Sequence, residues 1–179
     1  MERDGPAGVV SAVITPELLT TLMDRHAAGL VLFARQWCAA PEDVVQAAFL
    51  KLARAGTPPD SLLPWLYRVV RHGAIDAGRA DRRRRQHEAH AAERAPCWFT
   101  PPDDPTGLDA QAAAEALQSV PLEFREVVVA HLWGGLTFEQ IAATVGGSAS
   151  TAHRRYAAGI DLLRERLQVP APLKPPTPS

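Results

Sequence analysis

The chain has 179 residues, of which 46% are apolar, and its formal net charge is −1. This composition supports one ordinary domain or two small ones, and it excludes a chain that is strongly basic throughout. Two cysteines are too few for a disulfide framework, and no stretch approaches the roughly 20 apolar residues of a membrane-spanning helix.

Helical periodicity runs through nearly the whole chain and alternating strand patterns are absent, so the sequence predicts an all-α protein. The stretch "ERAPCWFTPPDDPTG" breaks this periodicity and is typical of a flexible linker. We therefore predict two small helical domains joined by a linker. The predicted divisions are an N-terminal tail at 1–14, a first domain at 15–92, the linker at 93–107, a second domain at 108–168 and a disordered, Pro-rich tail at 169–179.

Three helices are predicted in the first domain. The first begins at Pro16 with Thr15 as its N-cap, since proline is tolerated at the first helical position and a threonine hydroxyl can accept from the free amides. The second begins at Pro41 and stops at Gly56, and the third begins at Ser61.

The second helix has one apolar face and one mixed face. The apolar residues, which we expect in the core, are Val44, Val45, Ala48, Phe49 and Leu52. Asp43, Gln46 and Leu50 lie together on the opposite face. A leucine among polar residues suits a protein interface, although a single exposed leucine is also common on a solvated face.

The third helix has an apolar face and a basic face. The predicted core residues are Leu62, Trp65, Leu66, Val69 and Gly73. Trp65 is therefore expected to anchor the core rather than to stack on a base. Tyr67, Arg68, Arg71 and Ile75 lie on the other side. An aromatic ring among guanidinium groups favours single-stranded DNA binding, and a solvated basic face is the alternative.

Charge is distributed unevenly along the chain. Residues 68–85 contain seven arginines and two aspartates, whereas residues 87–126 contain eight acids and two arginines. Positively charged side chains stabilise the C-terminal end of a helix, but five arginines within residues 79–85 are more than this effect requires. Contact with nucleic-acid phosphates is therefore the better interpretation of this run. The sequence thus predicts a local polyanion-binding face.

The second domain contains the pattern of a helix-turn-helix. Thr137 and Gln140 form a capping box at the start of a short helix. Gly146 and Gly147 suit a tight turn, where a positive φ costs glycine little, and Ser148 is a natural N-cap for the next helix. A short helix, a glycine turn and a second helix are the layout that places a recognition helix in the major groove.

The second helix of this pair separates its apolar and polar residues. Its expected buried arc contains Ala152, Tyr156, Ile160, Leu163 and Leu167. Ser150, Thr151 and Arg154 point the opposite way, with His153 and Arg155 on the flanks. Arginine can donate a bidentate pair to guanine, while serine and threonine bind phosphates or base edges. The alternative is an ordinary corner between two helices with solvated arginines.

Two separated segments resemble the extracytoplasmic-function (ECF) group of bacterial RNA polymerase sigma factors, within the sigma-70 family. "APEDVVQAAFLKLA" and "PWLYRVVRHGAIDAGRADRRRR" resemble the family's region two. "LQSVPLEFREVVVAHLWGGLTFEQIAATVGGSASTAHRRYAAGIDLLRERL" resembles its region four. Their order, their spacing and the linker between them also fit this family.

The resemblance implies a function and its residues. Region two would bind the clamp helices of the polymerase β′ subunit and melt the −10 element, and region four would read the −35 element and touch the β flap. The implied polymerase-binding residues are Asp43, Gln46 and Leu50. The implied −10 residues are Tyr67, Arg68, Arg71, His72, Ile75, Arg79, Arg82 and Arg83. The implied −35 residues are Ser148, Ser150, Thr151, His153, Arg154 and Arg155. The partners would be core RNA polymerase, promoter DNA and, as a regulator, an anti-sigma protein.

Other functions fit the sequence less well. No nucleophile–base constellation, Gly-rich phosphate loop or carboxylate pair predicts an enzyme, and no cofactor is expected. His87, His90 and Cys97 match no standard metal spacing, so no metal is expected. A helix-turn-helix regulator without sigma activity remains the main alternative, and a sigma mimic or adaptor is a third. Without a signal-peptide pattern, we expect a cytoplasmic protein with no membrane partner.

Overall fold

The computed structural model describes residues 14–87 and 115–167. The described chain forms six helices of eight residues or more and contains no strand, which confirms the all-α prediction. The helices are α1 (Pro16–Ala34), α2 (Pro41–Ala53), α3 (Leu62–His87), α4 (Leu122–Leu132), α5 (Phe138–Val145) and α6 (Ala149–Leu167). A short helical segment at 115–119 precedes α4. We call α1–α3 the N-terminal unit and α4–α6 the C-terminal unit; the predicted linker at 93–107 and most of both predicted tails lie outside the described residues.

The helix starts follow the sequence signals closely. The Thr15 hydroxyl accepts from the Leu18 amide at 3.3 Å, and Pro16 takes the first helical position. Helix α2 begins at Pro41 as predicted but ends at Ala53, three residues before Gly56. Helix ends commonly fray by one or two residues, and here the chain leaves the helix at the C-cap residue Arg54.

The turn between α5 and α6 also forms as predicted. The Thr137 hydroxyl accepts from the Gln140 amide while the Gln140 side chain accepts from the Thr137 amide, which completes a capping box. Gly146 and Gly147 have φ values of 92° and 105°, a left-handed conformation that L side chains rarely adopt. The Ser148 hydroxyl accepts from the Thr151 amide at 3.2 Å and so caps α6.

One continuous apolar cluster includes residues from both units. Phe33, Leu52 and Leu66 are fully buried where α1, α2 and α3 meet. In α4 the five consecutive residues 126–130 are all buried, so this helix is covered on every side along its middle. Helix α4 packs against α5 and α6 and also against α1, and α5 packs against α3. The two units are therefore in direct contact.

Candidate nucleic-acid interface

The N-terminal end of α6 presents a polar surface to solvent. Ser150, His153 and Arg154 are exposed there, as the sequence predicted. Within the described ranges, Arg154 forms no ion pair or hydrogen bond with another residue. Its guanidinium is thus available as a bidentate donor at the helix end that a helix-turn-helix presents to DNA.

Packed rings fix the direction of α6. The ring of His131 in α4 stacks on Phe138 in α5, with centroids 4.5 Å apart, and lies edge-on to Tyr156 in α6 at 4.8 Å. His131 Nδ1 also lies 2.7 Å from the Leu136 carbonyl oxygen. His153 is exposed but places its ring edge-on to Phe138 at 5.1 Å. These contacts join α4, α5 and α6 and orient the exposed end of α6.

The remaining predicted −35 residues already have partners. Ser148 and Thr151 bring their hydroxyl oxygens to 3.0 Å, and the Ser148 hydroxyl also caps α6. Arg155 is half-buried and lies 3.8 Å from the Glu123 carboxylate on α4. The structure brings the predicted −35 residues together at one helix end, where Ser150 and Arg154 form no side-chain hydrogen bond or ion pair with another described residue.

Helix α3 carries an exposed basic stripe, which we call the α3 stripe. Its members recur at spacings of three and four residues and therefore share one helix face. They are Arg68, His72, Ile75, Arg79, Arg82 and Arg83, of which only Ile75 is partly buried. Arg79 makes a 3.7 Å contact with Asp76, and both of these side chains are largely exposed. Six of the eight predicted −10 residues thus lie together on one surface.

The predicted placement of Tyr67 on this exposed face is wrong. Tyr67 is 0% exposed and packs edge-on against Phe33, with ring centroids 5.0 Å apart. Burial raises the pKa of its phenol, so the ring stays neutral. A fully buried ring cannot stack on an unpaired base in this conformation. The periodicity of α3 alone could not show this, because Tyr67 is covered partly by α1 and partly by the C-terminal unit.

Arg71 also lies away from the exposed stripe. Its Nε donates to Glu126 Oε2 at 3.0 Å, and its guanidinium carbon lies 5.8 Å from the centre of the Trp37 ring. The Arg71 side chain is 22% exposed. Arg71 therefore belongs with Tyr67 on a second stripe of α3, which faces the C-terminal unit.

Glu126 is a residue that the sequence interpretation missed. It is 5% exposed and is followed by four buried apolar residues of α4. Burial raises the pKa of its carboxyl, and the hydrogen bond from Arg71 offsets only part of this effect. The sequence did contain a signal for this residue, namely one carboxylate beside the apolar residues of the run "REVVVAHL". A carboxylate buried among apolar residues requires a charged or hydrogen-bonding partner.

The mixed face of α2 is exposed as predicted. Asp43, Gln46 and Leu50 all reach solvent, and the Leu50 side chain is 48% exposed. An open groove lies beside Leu50, lined by Ala47, Leu50, Lys51, Arg54, Ala55 and Trp65. Trp65 packs partly against the core, as expected, and its remaining surface lines this groove. This face can accept an apolar side chain from another protein.

His90 and Cys97, considered above as metal ligands, are outside the described residues. None of the described helices is both long and apolar enough to cross a lipid bilayer. The free thiol of Cys38 is buried, and burial raises its pKa, an environment typical of a structural cysteine.

Comparisons with known proteins agree with this arrangement. The family described as Sigma-70 region 2 matches residues 22–85. The ECF RNA polymerase sigma factor SigL of Mycobacterium tuberculosis is 31% identical over 168 residues, which covers 88% of this chain and 93% of that protein. The RNA polymerase sigma factor CarQ of Myxococcus xanthus is 32% identical over 129 residues, covering 70% of this chain and 74% of CarQ.

A solved structure has the same fold. The sigma factor RpoE of Bartonella quintana, crystallised in complex with the anti-sigma factor NepR, superimposes with a TM-score of 0.69 at 22% identity. The match covers 88% of this chain and 100% of that chain. Two helical units in this order are therefore a known architecture.

Proposed function

Since the chain belongs to the ECF group of the sigma-70 family, we propose that it binds core RNA polymerase and directs transcription from specific promoters. It would carry no catalytic step itself, because phosphodiester synthesis belongs to the polymerase. Its working place is then the cytoplasm, with the polymerase.

The α2 face is the proposed site for core polymerase. Asp43 and Gln46 supply hydrogen-bonding groups, and Leu50 supplies an apolar side chain next to the groove lined by Trp65. An exposed leucine in a groove can serve as a buried anchor when a partner helix covers it. We assign this face to the clamp helices of the β′ subunit.

The α3 stripe is the proposed −10 surface. Arg68, Arg79, Arg82 and Arg83 would follow the phosphates of the non-template strand. With Tyr67 buried, His72 is the exposed ring on the stripe and can stack on an unpaired base. Charge along the backbone combined with ring stacking is how proteins hold single-stranded DNA.

The exposed end of α6 is the proposed −35 surface. Arg154 would donate to a base edge in the major groove, and Ser150, Thr151 and His153 would bind nearby base edges or phosphates. Arg155 would contact a phosphate after leaving Glu123. The C-terminal unit would also touch the β flap. The anti-sigma factor bound by the Bartonella relative supports an anti-sigma protein as a further partner.

One observation carries this proposal over a conventional regulator: the chain exposes three separate surfaces, on α2, α3 and α6. A plain helix-turn-helix regulator needs only the surface on α6. Run-off transcription with purified core polymerase and a promoter template tests the proposal. We expect a product only when both protein and promoter are present.

A matched pair of variants makes the assay specific. Leu50→Glu combined with Gln46→Ala should abolish core binding and leave the helical circular dichroism signal intact, because both side chains point to solvent. Glu165→Ala, an exposed change at the far end of α6, serves as the control and should transcribe normally. Tight, sequence-specific duplex binding with no polymerase-dependent product would instead support the regulator, and core binding without promoter opening would support an adaptor.

A further inference from the structure

We propose that Ala157 on α6 contacts the C5 methyl group of a thymine in the −35 element, at the base pair next to the one that Arg154 reads. This inference rests on the proposed function, because it requires the exposed end of α6 to lie in the major groove. It goes further by naming one base of the promoter and the residue that selects it.

Five exposed residues form a line along one side of α6, which we call its outer face. They recur at spacings of three and four residues and therefore share one side of the helix. In chain order they are Ser150, His153, Arg154, Ala157 and Asp161. Ser150 and Ala157 differ by only about 20° around the helix axis, because seven residues nearly complete two turns. Ala157 thus lies almost directly behind Ser150 on the surface assigned to DNA.

Packing against α4 fixes the rotation of α6 that exposes Ala157. Gly159 is buried, and a Cβ atom added there would lie 2.7 Å from Val128 Cγ2 on α4. Such an atom would be too close, so the approach of the two helices at this point depends on glycine. Positions two apart on a helix point about 200° away from each other. Ala157 is therefore turned away from α4 and towards solvent.

The charges along the outer face limit the part of it that can lie in the groove. Arg154 is exposed and forms no ion pair with another described residue, so its guanidinium can donate to a base. Asp161, one turn beyond Ala157, pairs with Arg164 at 3.3 Å, and the Asp161 side chain is 75% exposed. A carboxylate repels the phosphates of DNA. Ala157 is thus the last residue of the outer face before a charge that opposes contact with DNA.

The spacing along α6 assigns Ala157 to a particular base pair. A helix rises about 1.5 Å per residue, so Arg154 and Ala157 are separated by about 4.5 Å along its axis. Successive base pairs are about 3.4 Å apart. The residue three positions after Arg154 therefore faces the next base pair.

The side chain of Ala157 determines which base it can select. Its single methyl group neither donates nor accepts a hydrogen bond, so it gains only from an apolar group on a base. Among the four bases, thymine alone presents such a group in the major groove, its C5 methyl. The short side chain also lets the helix backbone come close to the base. Burial of one methyl-sized group between Ala157 and thymine should strengthen binding about fourfold.

Removal of single methyl groups from promoter DNA tests this contact. The probe is a duplex promoter that the reconstituted holoenzyme selects from a pool randomised over the −35 element. The selected sequences should contain a thymine next to the base pair whose preference Arg154→Ala flattens. This thymine is then replaced by uracil, which pairs in the same way but lacks the C5 methyl. We expect the replacement to weaken holoenzyme binding about fourfold.

Ala157→Gly and Ala158→Gly form a matched pair of variants. Ala158 is the neighbouring residue and is half-buried. Both substitutions remove one methyl group and disfavour the helix to the same degree, so both weaken binding to every promoter. Only Ala157→Gly should equalise binding to the thymine and uracil duplexes, and Ala158→Gly should keep the fourfold ratio. A loss of helix stability alone would leave this ratio unchanged.

Methylated cytosine gives the reverse measurement. When a cytosine–guanine pair replaces the assigned thymine–adenine pair, 5-methylcytosine should bind more tightly than cytosine by about the same factor of four. This gain should also disappear in the Ala157→Gly holoenzyme and persist in the Ala158→Gly holoenzyme.

The outcomes separate this inference from the proposed function. A selected −35 element without the assigned thymine, or a thymine-to-uracil ratio that Ala157→Gly leaves unchanged, would overturn the contact and leave the sigma function supported. Selection of the duplex by the free protein alone, with a ratio that Ala157→Gly abolishes, would support the contact and contradict the sigma function. No selection with or without polymerase would contradict both.

Discussion

Helices α3 and α6 are both long and arginine-rich, but they meet the rest of the molecule differently. Helix α6 buries residues such as Ala152 and Gly159 along one side and leaves its N-terminal end exposed. Helix α3 is covered on one side by α1 and α2 and on another by the C-terminal unit. A basic residue on α6 therefore meets solvent or an exposed carboxylate, whereas Arg71 of α3 meets the buried carboxylate of Glu126.

The ion pairs of α6 and α3 differ in burial for this reason. Arg155 of α6 and Glu123 lie 3.8 Å apart with side chains 31% and 58% exposed, and such a pair contributes about 0–1 kcal/mol. Arg71 of α3 and Glu126 lie closer and are far more buried. Removing one partner there leaves a charge with little water around it. The α3 pair is therefore costly to break, whereas the α6 pair can exchange readily for a phosphate.

The largest expected effect is the difference in stability between a buried and an exposed substitution on α3. Tyr67→Ala should lower the free energy of unfolding by about 3–5 kcal/mol, the usual cost of truncating a buried aromatic ring. Arg68→Ala, at the next position and exposed, should change it by less than about 0.5 kcal/mol. Denaturant titrations followed by circular dichroism compare the two. Equally small changes in the free energy of unfolding for both variants would contradict the burial of Tyr67.

Local signals predicted the helix-turn-helix well. The capping box at Thr137, the positive φ values at Gly146 and Gly147, and the Ser148 cap all depend on residues within four positions of each other. Backbone hydrogen bonding at helix ends is a short-range property, so a single sequence is enough to predict it. The exposed end of α6 followed from the same local information.

The second covered side of α3 could not be predicted in the same way. Its partner Glu126 is 55 residues away from Arg71, and helical periodicity reports polarity but not which unit covers a face. Tyrosine has an apolar ring and a polar hydroxyl. Its position beside arginines therefore fits an exposed stripe and a buried contact between the two units equally well. The mixed face of α2 was correctly predicted to be exposed, because no other part of the described chain covers Asp43, Gln46 and Leu50.

The next effect concerns sequence reading by α6. Arg154→Ala should weaken promoter binding by the reconstituted holoenzyme by about 1–3 kcal/mol and flatten preference at one or two −35 positions, since the exposed guanidinium is assigned to a base edge. Arg155→Ala should weaken binding equally on all −35 sequences and lower the salt slope by about one unit. Binding across a −35 mutant panel at several salt concentrations measures both. An unchanged preference for the −35 sequence in the Arg154→Ala variant would contradict the proposed docking of α6 in the major groove.

The corresponding effect on α3 concerns promoter melting. His72→Ala should remove about 1–3 kcal/mol of stacking and slow transcription from a closed duplex promoter more than from a template with an opened −10 bubble. Glu165→Ala, an exposed change at the far end of α6, leaves the α3 stripe unaltered and serves as the control. Run-off yields on the two templates give the comparison. An equal loss on both templates would indicate that His72 does not act in melting.

The smallest effect uses the two tyrosines of the chain, one on each helix. The Tyr67 hydroxyl is buried without a partner among the described residues, whereas Tyr156 on α6 is only partly buried. Tyr67→Phe removes a polar atom that folding strips of water, so it should raise the free energy of unfolding by about 1 kcal/mol. Tyr156→Phe should change it by less than about 0.5 kcal/mol. A destabilised Tyr67→Phe protein would mean that the Tyr67 hydroxyl has a hydrogen-bond partner in the folded protein.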